Sequence, residues 1–277
     1  MAKTFFISGA ASGIGKASTR YLIKNGHSVF GTDFNSQAME ATFKGEFKQQ
    51  FTDEEYSRLG YALIDVSNDE SVKAAVQECV LKFGHMDVLV NNAGVNSPYW
   101  TAGVRMDEVP ISDWERVIGT NLTGTFRVSQ HCIKHLDQSP TGSGVIINIS
   151  SCRSQQSEPH CESYAASKAG LVGLTHGMAV SLGPKIRVHC LSPGWIDIRH
   201  ERLPPEDKNV EGGHTGWAPE WGYGMRDIDH EQHPVGRLGR GEDIAVWLEF
   251  LGAKETGFAT GGEIVVDGGY SKRLHYA

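Results

Sequence analysis

Tyr164 and Lys168 stand four positions apart in a segment with helical character, a spacing that puts a phenol and an ammonium side by side on one helix face. A free tyrosine has a pKa of about 10 and gives up its proton too reluctantly to act as a base near neutrality. A fixed positive neighbour favours the phenolate and lowers that value. The pair is therefore a general acid/base in waiting, and a hydroxyl from Ser150 or Ser151, just upstream, can hold a carbonyl oxygen beside it. Tyr-x-x-x-Lys also arises by chance on ordinary exposed helices, so the surrounding elements must carry the assignment.

The chain has 277 residues, 39% hydrophobic and 21% charged, with 33 glycines. That balance suits a folded α/β chain with many tight turns and argues against disorder. A formal net charge of −7 speaks against a broad nucleic-acid-binding face. No apolar run approaches the roughly 20 residues needed to span a bilayer. Met1 leads directly into the apolar Phe5-Phe6-Ile7 with no signal-peptide pattern, so a soluble cytoplasmic protein is expected. The five cysteines, Cys79, Cys132, Cys152, Cys161 and Cys190, are scattered and form no Cys-x-x-Cys. They suggest neither a disulfide framework nor a metal site, and Cys152 and Cys161 flank the serine–tyrosine stretch.

The elements that must position the pair alternate along the chain. Lys3 to Ser8 reads as a buried strand, followed by Gly9, Ser12, Gly13, Ile14 and Gly15 in a glycine-rich turn that opens a helix. Small residues there let the backbone approach a pyrophosphate, and the free N–H groups of the helix start attract its charge. His27 to Thr32 is a second strand ending in Asp33 and Phe34. An acidic residue about 20 positions past the glycine turn suits the ribose hydroxyls of NAD and repels the 2′-phosphate of NADP. Lys16, the nearest base, reads as a solvated helix residue, and residues 36–60 as a polar, mildly helical surface insertion. Tyr61 to Val66 is a third strand; Asp65 at its end either meets an adenine edge or caps the next helix. Met86 to Val90 runs into Asn91, Asn92, Ala93 and Gly94, and buried amides at a strand end need partners.

Ser112 to Leu136 reads as one long helix carrying Asn121, a poor helix-interior residue whose presence implies a polar task or a kink. The tyrosine helix runs from Cys161 to about Leu182. Lys185 to Leu191 is a further strand, ending in Pro193, Gly194, Trp195 and Ile196. From Arg199 to about Pro234 the pattern fails, and a structureless stretch that long is usually a lid or binding loop. His214, His230 and His233 within it lack metal-ligand spacing and read as surface histidines. Gly241 to Leu251 is a helix and Gly262 to Asp267 a last strand. The expected fold is a single α/β domain over 1–277, a doubly wound parallel sheet of Rossmann type with helices on both faces and a lid near 199–234. Ligands in such sheets bind at the carboxyl ends of the strands, where nearly every motif above falls.

With these residues in place the chain resembles the short-chain dehydrogenase/reductase family from Lys3 to about Ser271. The resemblance rests on Ser8-Gly-x-x-x-Gly-Ile-Gly15, Asp65-Val66, Asn91-Asn-Ala-Gly94, Asn121, Ser151, Tyr164-x-x-x-Lys168 and Pro193-Gly194. It selects Ser151 over Ser150, because the family's serine precedes the tyrosine by thirteen positions. It implies that Tyr164 exchanges the alcohol proton, that Lys168 lowers the tyrosine pKa and holds the nicotinamide ribose, that Ser151 binds the carbonyl, and that Asn121 carries a relay water. Hydride transfer itself belongs to the nicotinamide. The resemblance also implies a homo-oligomer, tetramer or dimer. Ser8 stands where the family often has Thr, and Ile198 where it often has a Thr that bonds the carboxamide, which leaves the Ile196 backbone, or a group elsewhere, to anchor that amide.

These residues imply an NAD-dependent dehydrogenase of secondary alcohols, or ketone reductase in reverse. The alternatives are an NADPH-dependent ketoreductase of biosynthesis, which Asp33 opposes, and a non-catalytic NAD-binding sensor or scaffold, which the complete set of Asn121, Ser151, Tyr164 and Lys168 opposes. Substrate choice falls to residues 95–103, 152–163 and the 199–234 segment. Arg153, Gln155 and His160 follow the serine closely. Arg153 either reads an anionic group on the substrate or pairs with Glu158 or Glu162. Trp100, Trp195, Trp217 and Trp221 point instead to a flat apolar or cyclic substrate.

Overall fold

The structure, a computed structural model, describes residues 2–204 and 217–273. Seven strands form one sheet in the order β3-β2-β1-β4-β5-β6-β7. They are β1 (Thr4–Ser8), β2 (Ser28–Asp33), β3 (Leu59–Leu63), β4 (Val88–Asn91), β5 (Gly144–Ile149), β6 (Ile186–Pro193) and β7 (Glu263–Val266). Every neighbouring pair is parallel.

The sequence produces this sheet through apolar runs with little alternation, the pattern of strands covered on both faces. Successive side chains of a strand point to opposite faces. In β1, Phe5 and Ile7 enter the core on one face and Phe6 enters the core on the other. Val88 and Val90 of β4 divide from Leu89 in the same way. The order reverses at β1, which pairs β2 on one side and β4 on the other. Such a reversal opens a crevice beyond the carboxyl ends of the two central strands.

Helices Gly13–Lys24, Asp69–Phe83, Glu162–Leu182 and Gly241–Gly252 match the expected positions to within a few residues. The expected helix over 112–136 is one path in three parts: Ile111–Ile118, a π-helical turn Gly119–Thr123, and Gly124–Leu136. Asn121 sits in the π turn, so the polar residue and the irregularity coincide, as often happens where a π turn serves a site.

Some expectations fail. Residues 36–50 are not a surface insertion. They are continuously helical, and Phe43, Phe47 and Phe51 are buried against the sheet. Phe43 reaches so close over β2 that a Cβ on Gly31 would lie 2.5 Å from its ring. Lys16 is not solvated. It is 5% exposed and paired with Glu46 and Glu201.

The segment expected as a lid is described on either side of 205–216. Arg199–Glu201 forms one 3₁₀ turn and Asp227–Glu231 a short helix. His214 and the Gly212-Gly213 pair lie outside the described residues. His233 is buried, with its ring packed at a tilt against Tyr270, and is not a surface histidine. Among the described residues no helix is long and apolar enough to cross a membrane, and no group of three or more His, Cys, Asp or Glu side chains is placed to hold a metal ion.

Candidate active site at the strand carboxyl ends

The glycine turn is built for close backbone approach. Gly9 and Gly13 hold φ of +69° and +56°, a region costly to residues with a Cβ. A Cβ on Gly15 would lie 2.1 Å from the Gly9 carbonyl oxygen, so no side chain fits there. Behind the turn, the Asn92 amide donates to the carbonyls of Ser8 and Gly9 at 3.0 and 2.9 Å. The Ser8 hydroxyl accepts the N–H groups of Asn92 and Ala93, each at 3.1 Å, so serine does the tying that a threonine would do. Ser12 precedes the Gly13–Lys24 helix with extended backbone and no side-chain cap bond. Its hydroxyl and the first N–H groups of the helix are thus the natural donors to an anionic group.

Asp33 ends β2 beside this turn. Its Oδ2 accepts the Ala11 N–H at 3.1 Å and its Oδ1 the Asn35 N–H at 3.0 Å. Phe34 follows, 70% exposed. Lys16 is committed to its two glutamates. Val66 is buried against Gly124, while Asp65 is exposed. Asp65 does not cap the next helix, because Asn68 does so through Ser71 N–H. The Asp65 carboxylate accepts Ser67 N–H and hydroxyl bonds instead. On the far side of the crevice, Gly194 N–H donates to Val266 O at 2.9 Å. Gly239 bonds to Trp195 O and Asp197 N, one residue to either side of Ile196, so the Ile196 N–H faces away from it. Ile198 packs on the glycine turn, and its Cδ1 would touch a Cβ on Gly13 at 2.9 Å.

Asn121, Ser151, Tyr164 and Lys168 come together at the ends of β4 and β5. The Asn121 side chain accepts Val95 N–H at 2.8 Å and donates to Val95 O and Ser167 Oγ, each at 3.0 Å. Positions that a Cβ on Gly94 would occupy lie 3.4 Å from Asn121 Oδ1 and 3.5 Å from Lys168 Nζ. Lys168 is 5% exposed, and its ammonium donates to Ile149 O at 2.8 Å. The Ser150 hydroxyl is spent on Lys168 O at 2.7 Å, which leaves Ser151 as the serine bonded to the Tyr164 phenol.

Electrostatics here run against the simplest local argument. Burial pushes the Tyr164 phenol up to about 12, with the Ser151 hydrogen bond pulling the other way. The Lys168 ammonium, 5.4 Å from the centre of the tyrosine ring, does not offset that burial, and burial brings Lys168 itself down to about 8. In this arrangement the phenol is a held proton, ready to be given.

The residues expected to read the substrate divide. Arg153 pairs with Glu158 at 2.6 Å, which realises the structural alternative. Gln155 donates to Glu263 at 2.7 Å. His160 holds a φ of +67°. Trp100 packs on Tyr164 with ring centroids 5.5 Å apart and so walls the space next to the phenol. Trp221 is turned to Gly239 O and the Arg240 guanidinium. Local sequence missed the C-terminal turn after β7, where Ser271 O receives Gln156 from the serine loop.

Residues 9–271 match the family model described as enoyl-(acyl carrier protein) reductase. The chain is 38% identical over 276 residues to an uncharacterized oxidoreductase of Thermotoga maritima, covering 99% of this chain and 98% of that one. It is 33% identical over 269 residues to the 3-oxoacyl-(acyl-carrier-protein) reductase FabG of the same organism, covering 96% and 97%. Among solved structures, ElxO with NADP bound superposes with a TM-score of 0.80 at 28% identity, covering 99% of this chain and 100% of that chain.

Proposed function

The chain belongs to the short-chain dehydrogenase/reductase family, and on that premise we propose that it moves a hydride between NAD(H) and a secondary alcohol or its ketone. The observation that carries the proposal is the convergence of Ser151, Tyr164, Lys168 and Asn121 beside Gly94, at the crevice where the glycine turn opens.

The cradle fits a dinucleotide: no Cβ fits at Gly15, Ser12 and the helix start would offer donors to a pyrophosphate, and Asp33, at the end of β2 beside the turn, would meet the ribose. Gly9, Ser12, Gly13, Ile14, Gly15, Val66, Ala93, Gly94, Pro193 and Ile196 would hold it. The bound nicotinamide supplies the hydride donor or acceptor. The protein supplies the proton and the orientation. In the reducing direction the Tyr164 phenol gives its proton to the carbonyl oxygen, and Ser151 steadies that oxygen as charge builds on it. In the oxidising direction the phenol must first lose its proton. Lys168, with its pKa near 8, then holds positive charge close to the phenolate below that pH, and Asn121 fixes Val95, just beyond Gly94, through both of its backbone groups.

Asp33, with Lys16 committed elsewhere, favours NAD over NADP. The relative that reduces a 3-oxoacyl group and the neighbour that binds NADP support a second reading, an NADPH-dependent ketoreductase. The Arg153–Glu158 pair arrives already neutralised and Trp100 walls the phenol, which favours an uncharged, flat or cyclic substrate. Exposed Val180 and Phe250, on two different helices, suit burial against further copies of the chain.

A panel of polyols, hydroxy acids, cyclic alcohols and aromatic alcohols, followed by NADH fluorescence, tests this reading. Turnover of a secondary alcohol that Tyr164→Phe abolishes is expected. Turnover unaffected by Tyr164→Phe overturns the mechanism, and a clear preference for NADPH overturns the cofactor assignment.

A further inference from the structure

We propose that Glu263 is a positioning residue for this reaction: it fastens the turn that carries Ser151 to the strand end that carries Pro193 and Gly194. Glu263 opens β7, in register with Cys190 of β6. Its carboxylate gathers three side-chain donors from two other strand ends. Oε1 accepts the Ser154 hydroxyl at 2.8 Å and the Ser192 hydroxyl at 2.6 Å, and Oε2 accepts the Gln155 amide at 2.7 Å.

Ser154 and Gln155 belong to the serine turn. Ser151 caps a single 3₁₀ turn, Cys152–Ser154, by accepting the Arg153 N–H at 3.1 Å. The Ser151 carbonyl in turn accepts the Ser154 N–H at 2.9 Å, and the Ser154 hydroxyl lies 2.7 Å from it. One three-residue 3₁₀ turn has poor hydrogen-bond geometry and little stability of its own. An acceptor-only carboxylate drawing on two consecutive side chains of that turn restricts it far more than the turn restricts itself. Ser192 immediately precedes Pro193 and Gly194, so the same carboxylate spans from the turn of the serine that touches Tyr164 to the end of the neighbouring strand β6. Its action on chemistry runs through Ser151, which it does not touch.

The kinetic arm of the test rests on the hydride-transfer reading above; a second arm does not. Wild type, Glu263→Ala and Glu263→Gln are compared on a responsive secondary alcohol with NAD. Glutamine keeps an acceptor for Ser154 and Ser192, and Gln155 can turn its amide to accept from the new NH₂. Glu263→Ala is expected to lose about 10- to 100-fold in kcat, the scale of a misplaced reacting group. Glu263→Gln is expected to recover to within about three-fold of wild type in kcat.

The second arm measures labelling of Cys152 by a thiol reagent, read by peptide mass. Cys152 is buried within the turn, so Glu263→Ala should speed its labelling and Glu263→Gln should not, while Cys79 and Cys132, in the core, stay protected in both. Wild-type kcat together with wild-type labelling in Glu263→Ala overturns the proposal. Equal exposure of Cys79 and Cys132 overturns it too, because the loss is then general unfolding. If wild type oxidises no alcohol, the hydride reading falls and the labelling alone decides whether Glu263 holds the turn.

Discussion

Replacing Asp33 with Asn asks two questions of one carboxylate. Asp33 is 7% exposed, and each of its oxygens accepts a backbone N–H, from Ala11 in the glycine turn and from Asn35 at the next helix start. Asparagine keeps the size but has one acceptor, so one of the two N–H groups is left facing an NH₂. An unpaired buried donor costs about 1–3 kcal/mol. At roughly 2–4 °C per kcal/mol for a chain of this size, a loss of about 2 kcal/mol lowers Tm by about 4–8 °C. The second effect is electrostatic. A phosphate bears about −1.5 to −2 charges near neutrality. Two unit charges 4 Å apart repel by about 1 kcal/mol in bulk water and about 4 kcal/mol at the effective dielectric of a protein surface. Removing the carboxylate should therefore raise the ratio of kcat/KM for NADP over NAD by about 10- to 100-fold, or about 1.4–2.8 kcal/mol. Steady-state kinetics with both cofactors, beside thermal melts of both proteins, measure the two effects separately. A wild type that prefers NADP, or a ratio that moves by less than about two-fold, refutes the role given to Asp33 at the ribose. An unchanged Tm refutes its role in holding the turn.

Three further outcomes follow from the same structure. Tyr164→Phe should lower kcat by about 10²- to 10⁴-fold. Because burial holds the wild-type phenol up to about 12, alcohol oxidation should accelerate with pH between about 6 and 9 while ketone reduction stays nearly flat; parallel pH profiles in the two directions would contradict that. His189 is 1% exposed, and burial, aided by Arg187, holds it down to about 4 from its usual 6.5. The unfolded chain binds the proton first as pH falls, so this contribution is fully present above 6.5 and is lost toward pH 4. It amounts to about 3 kcal/mol, and urea midpoints for His189→Gln should fall less steeply than wild type across that window. Phe43→Ala should cost about 3–5 kcal/mol in chemical denaturation; a cost under about 1 kcal/mol would mean that residues 36–50 are peripheral after all.

Spacing along the chain was enough to determine the fold class and the edge of the sheet that carries the motifs. Buried runs alternating with helices admit a parallel sheet, and the glycine turn, Asp33, Asn92 to Gly94, Ser151 and Pro193 each follow a strand, so the strand-end rule groups them without any knowledge of packing. These are local facts: a turn after a strand, two residues on one helix face. The tertiary structure decided what depends on distant neighbours. Lys16 looked solvated until Glu46 and Glu201 closed on it. Phe43, Phe47 and Phe51 kept a four-residue helical spacing inside a polar stretch, and only their packing on β2 shows that the repeat is core. Arg153 had two open roles, and the fold gave it to Glu158. The Tyr164 phenol is the sharpest case. Its neighbour at i+4 predicts a lowered pKa, yet burial raises it, because desolvation sums over every element packed around a group, whereas a helix spacing specifies only which residue stands next to it.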